Sequence, residues 1–145
     1  MSHANCETPH TRRPWSTLLQ AHPDTAVWPT SSLPSTVLGC TDGTSIWLTV
    51  EQTVAEARCT LAHELIHLER GHSTCQPPDV EADVRREAAQ RLIPIDELAA
   101  ALAQTRNELE TAEMLWVDVD TLRTRLAFLD DIERARVGLT RDLAC

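Results

Sequence analysis

The stretch Thr60-Leu61-Ala62-His63-Glu64-Leu65-Ile66-His67 carries two imidazoles four positions apart, with a carboxylate following the first: an HExxH pattern. On an α-helix, residues i and i+4 stack on one face. His63 and His67 can therefore aim ring nitrogens at one point, as two ligands of a tetrahedral zinc ion do. Glu64 is turned away by one residue. It is badly placed as a further ligand and well placed to reach a water at the open coordination position, which is the general-base role in a zinc peptidase. Given the His and Glu content of this chain, an accidental HExxH has odds of about one in fifty. Inert surface histidines are the plain alternative.

The chemistry requires a helix. Val54, Leu61, Leu65 and Leu68 fall on one helical stripe, and at about 100° per residue His63 and His67 lie away from it. Thr49 or Thr53 suits the start and Gly71 the stop. Upstream, residues 35–40 and 45–50 read as a hairpin turning at Thr41-Asp42-Gly43. In its second strand Ile46, Leu48 and Val50 alternate with Trp47 and Thr49, one face buried. Two readings of that strand stay open: a sheet edge beside the cleft, which an extended peptide can join as a further strand, or a plain core hairpin.

The remaining elements follow from periodicity and breakers. Residues 1–14 form a flexible N-terminal tail, 15–20 a short helix and 25–28 a short strand, within loops marked by Pro23, Pro29 and Pro34. Asp79 suits an N-cap for a helix over 80–93, which Pro94 ends. Further helices span about 95–104, 108–116 and 120–136. The expectation is an α+β fold, predominantly helical, with a small antiparallel hairpin beside the HExxH helix. It forms one domain over 15–145, with a core at 15–104 and a C-terminal helical segment at 105–145.

A catalytic zinc site takes three protein ligands and keeps one position open. Glu69, His72, Asp79, Glu81, Asp83 and Glu87 all follow the motif. In the next helix Val80, Val84, Ala88 and Leu92 define the buried face. Glu81 lies roughly 40° from its centre, Glu87 about 80° and Asp83 about 120°. Glu81 is the best-placed third ligand. It is equally an acidic residue of the kind a helix N-terminus favours. His72, Asp83 and Glu87 are secondary candidates, His72 also as an oxyanion donor, and Cys75 follows closely enough to approach a metal.

Composition narrows the partners. All thirteen basic residues are Arg, against 22 acidic ones, for a net charge of −9. That balance argues against a nucleic-acid footprint and is compatible with a basic protein substrate. The five cysteines are odd in number and irregular in spacing, unlike a disulfide framework; Cys59 reads as a buried thiol. There is no secretory signal pattern and no run of roughly 20 apolar residues. A cytoplasmic protein is expected.

Residues 58–67 resemble the R-x-T-L-A-H-E-L-x-H block of the ImmA/IrrE family of metallo-endopeptidases. Residues 81–94, from Glu81 through Ala88-Ala89 and Leu92 to Pro94, resemble that family's second block, roughly E-x-x-A-x-x-x-A-A-x-x-L-(M/I)-P. Val84 stands where many members have Ala, and Glu87 where many have an aromatic residue. The resemblance implies a short member with a minimal zincin-like core and a gluzincin-like ligand set. Its third metal ligand falls on Glu81, beside His63 and His67, with Zn2+ as cofactor and Glu64 catalytic. It further implies site-specific cleavage of a partner protein such as a helix-turn-helix transcriptional repressor, in a phage, mobile-element or stress operon.

Residues 112–126 have a helix-turn-helix cadence of their own, with Arg123 and Arg125 on the second helix. Asp118, Asp120, Asp130 and Asp131 surround those two and repel phosphate, so packing or partner binding is favoured over DNA. The expected function is a zinc-dependent endopeptidase. Its rivals are a non-catalytic, metal-stabilised protein that binds a repressor, and a DNA-binding regulator using the C-terminal helices.

Overall fold

The computed structural model describes residues 16–138; the expected tail over 1–14 lies outside them. The fold is α+β and mostly helical, with a small three-stranded mixed sheet. In chain order the elements are α1 (Ser16–Leu19), β1 (Ala26–Thr30), β2 (Gly39–Thr41), β3 (Ser45–Thr49), α2 (Val54–Glu69), α3 (Pro78–Leu92), α4 (Ile95–Gln104), α5 (Glu108–Leu115), α6 (Val119–Ala127) and α7 (Asp131–Arg136).

The hairpin forms with Cys40 opposite Trp47 and Thr41 opposite Ile46. Its turn is fastened by Asp42 Oδ1, which accepts the backbone N–H groups of Thr44 and Ser45 at 2.9 and 2.8 Å. Gly43 takes φ +95° there. The sheet order is β1-β3-β2, with β1 parallel to β3. The strand before the HExxH helix is thus central, not an edge: its ladder groups are engaged on both sides and no peptide can join it. The edge beside the cleft belongs to β2.

Helix α2 is the axis of the molecule. Ile46, Leu48, Leu61 and Leu65 form one apolar cluster between it and the sheet. On its other side Cys59, Ala62 and Ile66 join a second cluster that runs through Val84, Ala88, Leu92, Leu98, Leu115, Leu122 and Leu129 to Val137. The C-terminal helices share this core. Val54, expected on the buried stripe, is 50% exposed at the first position of the helix.

Several boundaries differ from the sequence expectation: the first hairpin strand covers only Gly39–Thr41 instead of 35–40, and β1 covers Ala26–Thr30 instead of 25–28. Pro78, not Asp79, opens α3 with Pro77 before it; proline favours the first helical position because its missing N–H is unneeded there. Asp79 stays in the first turn. The helix expected over 120–136 is two helices. The first ends at Ala127, and Asp130 starts α7: it accepts the Glu133 N–H at 2.8 Å, while the Glu133 carboxylate accepts the Asp130 N–H at 3.2 Å, a reciprocal cap. The turn of the helix-turn-helix cadence sits one residue earlier than expected, with Asp118 capping α6.

Helix α6 packs against α3. Arg125 is only 3% exposed; its guanidinium donates to the Ile93 carbonyl at 2.9 Å and to Glu133 at 2.6 Å. Arg123 is occupied by Glu108. Arg125 is thus committed to the core, while Arg123 remains 62% exposed in its surface pair. Among the described residues, no helix is long and apolar enough to cross a membrane.

Candidate metal centre

The centre is built from one face of α2 and the first turn of α3. Thr53 opens α2 with its own reciprocal cap: its hydroxyl accepts the Glu56 N–H at 3.1 Å and its N–H donates to Glu56 at 2.7 Å. Apolar packing on two sides then fixes the helix, so His63 and His67 project towards α3. Arg70 bridges Glu87 and Asp83 at 2.6 and 2.9 Å, and Arg91 reaches Glu69 and Glu87 at 2.7 Å. Singly such exposed pairs contribute little. Together they tie the end of α2 to the outer face of α3 and occupy Asp83 and Glu87 away from the histidines.

Val84, Ala88 and Leu92 face the core from α3. Side-chain exposure rises from 27% for Glu81 to 32% for Glu87 and 41% for Asp83, the order that helix geometry predicts. Glu81 alone of the three turns to the imidazoles. His63 Nε2 and His67 Nε2 lie 3.0 Å apart; Glu81 Oε2 is 3.0 Å from the first, and Oε1 is 3.2 Å from the second. Among the described residues, His63, His67 and Glu81 form the group of acidic, thiol and imidazole side chains that can hold a metal, with ligand atoms all within 4.8 Å of one another.

These separations allow a test of fit. Tetrahedral ligands about 2.0–2.1 Å from zinc stand roughly 3.3 Å apart. Taken to the single carboxylate oxygen Glu81 Oε2, the three gaps are 3.0, 3.0 and 3.3 Å, close to that edge length, and two imidazole nitrogens with one carboxylate oxygen are a donor set suited to zinc. Cys75 lines the same cleft but stays outside the cluster.

The cluster lies in a cleft of about 610 Å³ that also takes in Glu64. One wall is the segment 36–41, ending in edge strand β2; another comes from Asp118, Asp120, Thr121 and Thr124 at the start of α6. Gly39 allows the first wall to come close: a Cβ there would stand 2.6 Å from Thr60 Cγ2 on α2.

Burial pushes the Glu64 carboxyl up to about 7, and the nearby Glu81 charge adds to the shift. Burial would also raise Glu81, but His67 and His63 outweigh it and hold that carboxyl below its ordinary value. Burial lowers His63, with His67 beside it, against the pull of Glu81. The result is two carboxyls with separate characters: Glu81 stays anionic among imidazoles, and Glu64 is poised near neutrality to exchange a proton.

Comparison with known proteins finds no matching family model, curated protein or solved structure.

Sequence reasoning missed part of the site. Arg85 lines the cleft and stands four residues after Glu81, so helical spacing could have found it. The wall over 36–41 falls on the segment expected as the first hairpin strand, but the sequence pointed to the second strand, not this one, as the edge beside the cleft. His72, expected as a possible oxyanion donor, is turned to the far side of His67, its Nδ1 lying 2.9 Å from His67 Nδ1. Cys59 is buried as expected, with its thiol pushed up to about 11 by burial and by Asp118.

Proposed function

We propose that this chain is a zinc-dependent endopeptidase. The observation that carries the reading is the convergence of His63, His67 and Glu81, from two helices, on one point of a cleft that also holds a proton-exchanging carboxyl. Zinc bound there supplies polarisation of the scissile carbonyl and acidification of water. Glu64 would accept the proton of the attacking water and hand it to the leaving amine, a role that a buried carboxyl lining the cleft suits. Edge strand β2 offers unpaired backbone groups beside the cleft, along which an extended peptide can align. Asp118 and Asp120 at the other wall favour a substrate with basic side chains there.

The resemblance of residues 58–67 and 81–94 to the ImmA/IrrE blocks supports the same reading and suggests a helix-turn-helix repressor as the substrate. We assign the activity to the cytoplasm, in keeping with the free thiols of Cys40, Cys59 and Cys75.

The test is incubation of the zinc-loaded protein with the product of a neighbouring repressor gene and with a library of proteome-derived peptides, read by mass spectrometry. Glu64→Gln is expected to keep zinc within a few-fold and to cut cleavage by about 10²–10⁴-fold. Zinc binding without cleavage of any substrate by the wild type would leave the non-catalytic binder as the answer, and equal cleavage by Glu64→Gln would remove Glu64 from the chemistry.

A further inference from the structure

We infer that His72 is the positioning residue of the metal centre: it accepts a hydrogen bond from His67 Nδ1–H and so locks the ring that presents Nε2 to the cluster. The inference rests on the metal reading above. It starts from the end of α2, where Arg70 is the last residue in helical conformation and Gly71 takes φ +75°. A left-handed residue at that place reverses the chain. A Cβ at Gly71 would meet nothing within 4 Å, so the conformation, not crowding, favours glycine there.

The reversal brings His72 back over the last turn. Its N–H donates to the His67 carbonyl at 2.9 Å, and its ring sits 5.2 Å from that of His67, centroid to centroid. The two Nδ1 atoms then lie 2.9 Å apart. Main chain and side chain of His72 thus both engage one residue, which is itself buried.

Two facing ring nitrogens share one hydrogen, so one ring donates and the other accepts. His67 Nε2 faces His63 Nε2 and Glu81. When a metal takes the Nε2 lone pair, the proton of a neutral imidazole must sit on Nδ1. His67 is then the donor, and His72 must carry its own proton on Nε2, leaving Nδ1 as acceptor. The usual partner of a ligand imidazole is a carboxylate, a backbone carbonyl or a water; here a second imidazole fills that role.

The variants are His72→Ala, which removes the acceptor, and His72→Asn, whose Oδ1 can stand near the place of Nδ1. Zinc affinity is measured by competition with a chelator, and folding is followed by circular dichroism. Outer partners of this kind carry about 10–100-fold in metal affinity. His72→Ala is expected to lose that much, and His72→Asn to recover most of it. In the zinc-loaded wild type, ¹⁵N spectra of the imidazoles should show His72 protonated on Nε2 and bare on Nδ1.

A zinc-loaded protein with His72 protonated on Nδ1 overturns the inference alone. So does a folded His72→Ala variant with wild-type affinity, or a His72→Asn variant no better than it. If the wild type takes up no zinc, the metal reading falls as well, and the two failures are told apart by that single measurement.

Discussion

At the scale of single residues, the site depends on three acidic side chains of α3 having different neighbours. Asp83 and Glu87 are engaged by Arg70, whose guanidinium holds both carboxyls below their ordinary range. Among the described residues, Glu81 faces the imidazoles and the cleft. The expected consequence is selective. Glu81→Gln keeps the shape but loses the anion, and zinc affinity should fall by more than the roughly 10–100-fold that an outer partner is worth. Asp83→Asn and Glu87→Gln should leave it within a few-fold. Chelator competition on the three variants decides the matter; equal losses across them would mean that general acidity, not ligation, attracts the metal.

At the scale of elements, local signals were legible and long-range pairings were not. The ends of α4 match expectation residue for residue, because Pro94 marks its start and the apolar stripe continues to its end. The capping pair Asp130 and Glu133 was present in the sequence, but the helical period runs straight through it and hid the break. The parallel pairing of β1 with β3 joins segments separated by a loop, β2 and the hairpin turn, a relation that no periodicity within either strand encodes. The closeness of β2 to α2 is of the same kind. It depends on Gly39, and its cost can be measured. Gly39→Ala brings a methyl against Thr60 Cγ2 and should destabilise the fold by about 1–3 kcal/mol, the usual range for overpacking. Thr60→Ser removes that carbon while keeping the hydroxyl that bonds Gln52 and the Glu56 carbonyl. The double variant should recover part of the loss in urea melts, since the methyl would still stand 3.1 Å from Leu48 Cδ2 and the Trp47 carbonyl, whereas additive losses would show that the two residues do not meet.

At the scale of the whole molecule, HExxH made the cluster legible because two of its three side chains are four residues apart on one helix. The third arrives from a separate helix, and the cleft walls from further segments still. What joins them is the packing of α3 against α2, reinforced at one end by the arginine bridges and at the other by the centre itself. A metal bound to both helices acts as a clamp that the unfolded chain cannot reproduce, so binding must appear as stability. At free zinc about 100 times its Kd, linkage gives about 2.7 kcal/mol. For a chain of 145 residues, at about 3 °C per kcal/mol, this is a rise in Tm of roughly 8 °C. Calorimetry with and without zinc should show that rise, a chelator should reverse it, and Glu81→Gln should lose most of it at the same zinc concentration. An unchanged Tm in the wild type would mean that the three side chains, close as they stand, do not hold the ion, and α2 and α3 would then be held by their apolar packing and the arginine bridges.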